Sequence, residues 1–191
     1  MKVIKTDLSE VLVIEPSVFR DNRGYLLEAY HALRYSEHGF SRMFVQDNLS
    51  FSARSVLRGL HYQLGQPQAK LVMVLSGEVF DVAVDIRKGS PTFGRWVGVT
   101  LSSENQHQIF IPEGFAHGFQ VISETATVYY KCTDYYAPRE ERGIRWDDPA
   151  LKIDWGGKNP VLSEKDRSYP TLDQASPEHL PEYRSNQPIP L

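Results

Sequence analysis

The sequence predicts an all-β protein, a sandwich or a jelly roll. Short runs rich in β-branched and aromatic residues recur at steady spacing between glycine and proline turns. No segment carries the 3.6-residue periodicity of a long amphipathic helix, and no internal repeat is present. The chain has 191 residues, 41% of them hydrophobic, enough for one domain with a full-sized core.

Residues 11–15 read as a short strand ended by Pro16. The core of residues 19–25, Asp21-Asn22-Arg23-Gly24, is turn chemistry. Residues 25–30 are strand-like and include Glu28, and 31–39 fit a short helix closed by Gly39. Residues 44–51 alternate in part and carry Gln46, Asp47 and Asn48. Residues 56–63 form the densest strand pattern, and a loop at 64–69 follows. Residues 70–75 and 78–86 flank Ser76-Gly77, which reads as a hairpin turn. Both arms are apolar at nearly every position, as in strands deep within a sheet structure. Further strands are expected at 96–101, at 107–111 before Pro112, at 115–122 after Glu113-Gly114, and at 126–132. From Thr133 the chain turns irregular and is expected to pack over the core, with a helical turn near 163–167. This gives one domain over residues 1–175 and a tail over 176–191, which holds four prolines.

The net charge of −3, without a basic patch, argues against a nucleic-acid binder; an anionic substrate needs a local cluster of cations instead. Cys132 is the only cysteine, so no intramolecular disulfide forms and a reducing compartment is expected. No signal-like or membrane-spanning run appears, and a cytoplasmic protein is the expectation.

Residues 56–63 also carry the first candidate chemistry. Strict alternation puts Gly59, His61 and Gln63 on one face and Arg58, Leu60 and Tyr62 on the other. His61 near Arg58 and Lys70 tends to stay neutral, because positive charge disfavours imidazolium, and a neutral imidazole accepts protons. The competing reading is a half-buried histidine satisfied by a backbone partner. A metal-binding jelly roll of the cupin kind uses two histidines one residue apart, a glutamate and a later histidine. Here His117 fits the later position, but position 63 is glutamine and no glutamate follows. His61 and His117 are two ligands where a catalytic metal generally takes three, so no metal is expected. His31, His38, His107 and His179 read as ordinary surface residues. Tyr129 and Tyr130 offer a phenol on each face of their strand, as an acid or as plain packing. Lys70 either holds developing negative charge or snorkels at a strand end. Asp81 and Asp85 share a face and are expected to pair with Arg or Lys. Nucleophilic catalysis has little support: there is no Gly-x-Ser-x-Gly elbow, and Cys132 has only Lys131 as an evident activator.

Together these residues bring a family into view. Phe19-x-Asp21-x-Arg23-Gly24 with Glu28, Gln46-Asp47-Asn48, the run from Val56 to Gln63, Lys70-Leu71-Val72 and the run from Gly77 to Arg87 come first. Ser90-Pro91-Thr92-Phe93-Gly94, the run from Ile111 to Phe119, Tyr130-Lys131, Trp146-Asp147-Asp148-Pro149 and Ser163-Glu164-Lys165-Asp166 follow in order. From about Asp7 to about Pro170 the chain resembles the dTDP-4-dehydrorhamnose 3,5-epimerases. The resemblance implies a cupin-type jelly roll with short peripheral helices and an irregular C-terminal segment. It also implies a homodimer with strand exchange and catalysis without metal or other cofactor. The implied substrate is dTDP-4-dehydro-6-deoxy-glucose, in the pathway to dTDP-L-rhamnose. Close relatives that epimerise only C3 or only C5 remain an alternative, as does a non-catalytic sugar-nucleotide-binding cupin.

The same resemblance assigns roles. His61 is the base, Asp166 the carboxylate that holds its ring, Lys70 the residue facing the oxyanion at C4, and Tyr130 the acid for C5. Arg23, Arg58 and Lys165 resemble diphosphate and sugar contacts. Glu28, Gln46, Asp47, Asn48, His117 and Glu141 resemble polar contacts, and Tyr136 the aromatic that stacks on thymine. Arg23 and Glu28 are expected to serve the neighbouring subunit's site. Two departures stand out: Leu49 where a histidine is common, and Gly156-Gly157 in place of a proline after the tryptophan.

Overall fold

The structure, a computed structural model, describes residues 1–40, 42–157 and 159–184. In chain order it forms β1 (Lys2–Lys5), β2 (Leu12–Glu15), β3 (Val18–Asp21), β4 (Gly24–Leu27) and a short helix α1 (Ala32–Ser36). Then come β5 (Gln46–Ala53), β6 (Leu57–Gln63), β7 (Lys70–Ser76), β8 (Glu78–Asp85) and β9 (Trp96–Ser102). The remaining strands are β10 (Gln108–Ile111), β11 (Phe115–Val121), β12 (Thr125–Cys132) and β13 (Glu141–Gly143), and a second helix, α2, spans Glu164–Ser168. Six strands make one sheet in the order β1-β2-β10-β7-β12-β5. Five make another, β13-β6-β11-β8-β9, and β3–β4 is a hairpin that joins neither. This is the all-β jelly roll that the strand spacing and the resemblance predict.

Ser76-Gly77 does turn the chain, but it makes no hairpin. β7 lies between β10 and β12 in one sheet, and β8 between β11 and β9 in the other. The turn therefore crosses between layers. Gly77 takes it at φ 81°, where a Cβ would meet Thr125 O at 2.1 Å. Both arms are apolar throughout because each is central in its own layer. β1, β3 and β13 are not visible in the sequence: each has four residues or fewer, too few to establish a period.

Alternation sorts the core. Val72 and Val74 of β7, Val79 and Ala83 of β8, Phe115, Phe119 and Val121 of β11 and Val128 of β12 pack between the two sheets. Leu57, Leu60, Tyr62, Val82 and Val84 face outward from the five-stranded sheet. The irregular C-terminal chain covers them with Ile144, Leu151, Trp155, Leu172 and Leu180. The segment expected to be a tail therefore continues the domain as far as it is described. Leu180 is buried, the Tyr62 hydroxyl donates to His179 O at 2.9 Å, and Tyr183 N donates to Lys88 O. Residues 185–191 of that segment lie outside the described residues.

Asp85 anchors the loop after β8. Its carboxylate, fully buried, accepts from Arg87, from Ser90 Oγ and from Thr92 Oγ1, and Arg87 also reaches Glu10. Burial acts to raise the Asp85 carboxyl, but these donors outweigh it and hold it below the usual carboxylate range. Asp85→Asn is expected to cost about 3–5 kcal/mol, because it leaves Arg87 buried with half its counter-charge. Urea unfolding checks this. The wild-type advantage should be complete above the unfolded carboxyl pKa of about 4 and vanish as pH falls through the lower folded value.

Candidate active site

A cavity of about 460 Å³ opens between the two sheets. Its wall follows from strand register. Lys70 continues the inward row of Val72 and Val74, Tyr130 and Cys132 that of Val128, and His117 lies between Phe115 and Phe119. On β5, Gln46, Asn48 and Ser50 point in.

β6 departs from strict alternation. Its ladder to β11 pairs His61 with His117 but Arg58 with Phe119, so the register shifts in between. This bulge puts Arg58 on the same side as His61, lining the cavity with Gln63, while Leu57 and Leu60 turn outward and Tyr62, which also edges the cavity, packs into the same outer cluster. The sequence-based placement of Arg58 on the opposite face is corrected accordingly. Gly59 makes the bulge possible: its φ is 133°, and a Cβ would sit 2.5 Å from Gly118 Cα.

His61 is held from two directions. Ser163 caps α2 by accepting from Asp166 N at 3.1 Å, which sets Asp166 at the helix start. Asp166, 4% exposed, places Oδ1 2.5 Å from His61 Nε2. Burial acts to raise the Asp166 carboxyl, but the His61 hydrogen bond and charge hold it below the usual range. Tyr169 presents its ring edge-on to the imidazole, with centroids 5.7 Å apart. Gly143, opposite His61 on β13, admits that ring: a Cβ there would lie 2.4 Å from it.

The facing wall supplies the other chemistry. Tyr130 comes from β12, across the cavity from β6, and its hydroxyl has no hydrogen-bond partner among the described residues. Burial pushes this phenol above its ordinary value, Cys132 adds to that, and Arg58 opposes it. Tyr129 takes the other face of β12, where Lys131 donates to its hydroxyl at 3.3 Å. Lys70 forms no ion pair among the described residues, and burial pulls its ammonium below the ordinary lysine value. His117 Nε2 lies 3.0 and 2.9 Å from the two oxygens of Asp81. Asp81 thus pairs with histidine, whereas Asp85 takes the expected arginine.

At the rim, Tyr136 Oη donates to Glu141 at 2.6 Å, and Lys165 donates to the same carboxylate. Burial acts to raise Glu141, and these two donors bring it below the usual range. Gln46 accepts from Tyr136 N at 2.7 Å and donates to Asn48 at 3.0 Å, and Arg58 Nε donates to Ser52 Oγ at 3.1 Å.

Three expected site residues are not brought to this cavity. Asp47 alternates outward from Gln46 and Asn48 and accepts from Lys131 Nζ at 2.7 Å. Arg23 pairs with Asp21 in the β3–β4 hairpin, and Glu28, just beyond it, pairs with Arg34. Residues that the sequence reading left without a part are Asp81, Tyr169 and Cys132. Asp81 carried a usable signal, since a carboxylate inside a valine-rich strand must find a partner. Cys132 stands opposite Lys70 in the ladder, not beside an inward Lys131, and burial pushes its thiol up. Among the described residues no helix is long and apolar enough to cross a membrane.

Comparison with known proteins follows the same residues. The family model described as dTDP-4-dehydrorhamnose 3,5-epimerase matches residues 5–174. The dTDP-4-dehydrorhamnose 3,5-epimerase of Pseudomonas aeruginosa is 57% identical over 169 residues, covering 87% of this chain and 93% of that protein. A 3,5-epimerase structure from Legionella pneumophila, in complex with dTDP-4-keto-L-rhamnose, superposes with a TM-score of 0.95 at 54% identity, over 96% of this chain and 99% of that one. A 3'-monoepimerase from Streptomyces bikiniensis, in complex with dTDP-quinovose, gives 0.88 at 33% identity, over 94% and 92%. With a family model spanning most of its length and identities above half, the chain belongs to the dTDP-4-dehydrorhamnose 3,5-epimerase family.

Proposed function

We propose that this protein inverts C3 and C5 of dTDP-4-dehydro-6-deoxy-glucose by proton removal and return through an enolate, a step toward dTDP-L-rhamnose. The observation that carries the reading is that His61 and Tyr130 reach one cavity from opposing sheets. A hexose ring between them has a base on one face and an acid on the other. The C4 ketone acidifies the hydrogens at C3 and C5, because the carbanion left behind is an enolate. His61, oriented by Asp166, takes the proton. Lys70 meets the oxyanion at C4, and in this scheme no ion is required. Tyr130 returns a proton on the opposite face at C5. Arg58 and Lys165 take the diphosphate, where a charge-assisted contact is roughly twice as strong as a neutral one. Tyr136 stacks on thymine, and Gln46, Asn48, His117 and Glu141 give polar contacts to sugar or nucleotide.

The β3–β4 hairpin supports a homodimer with exchanged strands. It pairs with neither sheet and exposes Phe19 at 67% and Leu26 at 72%. In such a dimer Arg23 and Glu28 reach the neighbour's cavity, which accounts for their absence from this one. Asp47 acts through its ion pair with Lys131, not through the substrate. A lone buried cysteine suits a reducing, cytoplasmic setting.

Incubation with the sugar nucleotide in D₂O tests the reaction. Deuterium at both C3 and C5 is expected, read by NMR of the product. Label at C3 alone would favour the second reading, a C3-only epimerase, which the likeness to the Streptomyces monoepimerase brings into play.

A further inference from the structure

Asp81 is a fully buried carboxylate, bonded to His117 of the cavity wall, to which the reaction above gives no part. On the inner face of its strand it lies between Val79 and Ala83. An ionised carboxylate there is costly unless paired and hydrogen-bonded. Its side-chain partner among the described residues is His117 Nε2, held by both oxygens at 3.0 and 2.9 Å. His117 is paired in the ladder with His61, and both line the same cavity as Lys70.

We propose that Asp81 is a positioning residue for the epimerase reaction: it fixes His117 as the Nε2–H tautomer and sets a buried negative charge behind the wall of the cavity that Lys70 also lines. This rests on the function proposed above.

The tautomer follows from the hydrogen bond. An imidazole that gives its Nε2 proton to a carboxylate leaves Nδ1 as the acceptor nitrogen. Burial, Lys70 and His61 all disfavour imidazolium at His117, and they outweigh the opposing pull of Asp81. A neutral His117 adds no positive charge beside Lys70.

The charge argument concerns Lys70 itself. Burial penalises its ammonium, and Cys132, Asp81 and Glu141 are the groups that counter this. Cys132 lies beside it on β12, but burial keeps that thiol protonated. Glu141 on β13 is already engaged by Lys165 and Tyr136. Asp166 is engaged by His61, Tyr130 is a neutral phenol, and Arg58 on β6 brings only positive charge. Asp81 therefore remains as the buried anion whose charge reaches Lys70 without a competing lysine or arginine of its own.

The test is Asp81→Asn, which keeps shape and removes charge, assayed on the full chain with the sugar nucleotide. kcat is expected to fall about 10–100-fold, the loss measured when an orienting carboxylate is taken from behind a metal-bound histidine. KM should change little. The alkaline limb of the kcat profile, where Lys70 loses its proton, should move to lower pH by about a unit or more. An unchanged rate overturns the inference. So does a lower rate with the limb unmoved, which is what a merely structural role gives. A second measurement needs no variant. In ¹⁵N-histidine NMR of the wild-type protein, His117 should stay in the Nε2–H form between about pH 6 and 9. A His117 that titrates in that range, or carries its proton on Nδ1, overturns the assignment. Failure of the functional reading looks different: the wild-type enzyme itself would then exchange no hydrogen in D₂O.

Discussion

His61→Ala should abolish hydrogen exchange at both C3 and C5 while dTDP still binds. One base serves both carbons in the proposed mechanism, because both hydrogens flank the same ketone. Its removal costs the general-base contribution, about 10²–10⁴-fold in kcat, at both positions together. The nucleotide contacts assigned to Arg58, Tyr136 and Lys165 come from other side chains of the cavity wall, so dTDP affinity measured by calorimetry should change only a few-fold. His61 is half-buried, with its side chain 28% exposed, and the bulge around Gly59 is made by backbone. Alanine therefore leaves the strand in place, although it strands Asp166 without its partner and lowers stability somewhat. Exchange surviving at either carbon would show that a second base exists and that His61 is not the common one.

Much of this site can be read along the chain, because alternation is a local rule. Lys70, Tyr130 and His117 each stand two residues from apolar core positions, so the period alone points them inward. The same rule argues against Asp47, which cannot face inward with both Gln46 and Asn48. The resemblance had grouped all three. Arg58 is different. Whether it joins His61 depends on where the register slips, and that is decided by Gly118 on the neighbouring strand, about sixty residues away in sequence. Ser76-Gly77 shows the same limit: a glycine at positive φ marks a turn, but not whether the next strand returns to the same sheet. The proline-rich end reads as extended, and its described part is so in places apart from a 3-10 turn at Pro177–His179. What it lacked was any local sign that Leu180 would fill a gap beside Tyr62 and Trp155.

Tyr130→Phe should separate the two inversions. C3 exchange should persist within a few-fold, while inversion at C5 falls about 10²-fold or more, so that a product altered only at C3 accumulates. The ring of Tyr130 packs against the inner core, and phenylalanine keeps that packing. What is lost is one hydroxyl with no other hydrogen-bond partner among the described residues, so the fold has little to lose with it. The pH dependence sharpens the assignment. Burial holds the Tyr130 phenol above its ordinary pKa and the Lys70 ammonium below its own. Lys70 meets the oxyanion at C4 that both inversions share, so the alkaline decline of the wild-type enzyme should remain in the C3 exchange of the variant. Product analysis by NMR across pH decides it. If Tyr130→Phe inverts both carbons at the wild-type rate, the phenol is not the acid and the proton on that face comes from water or another group.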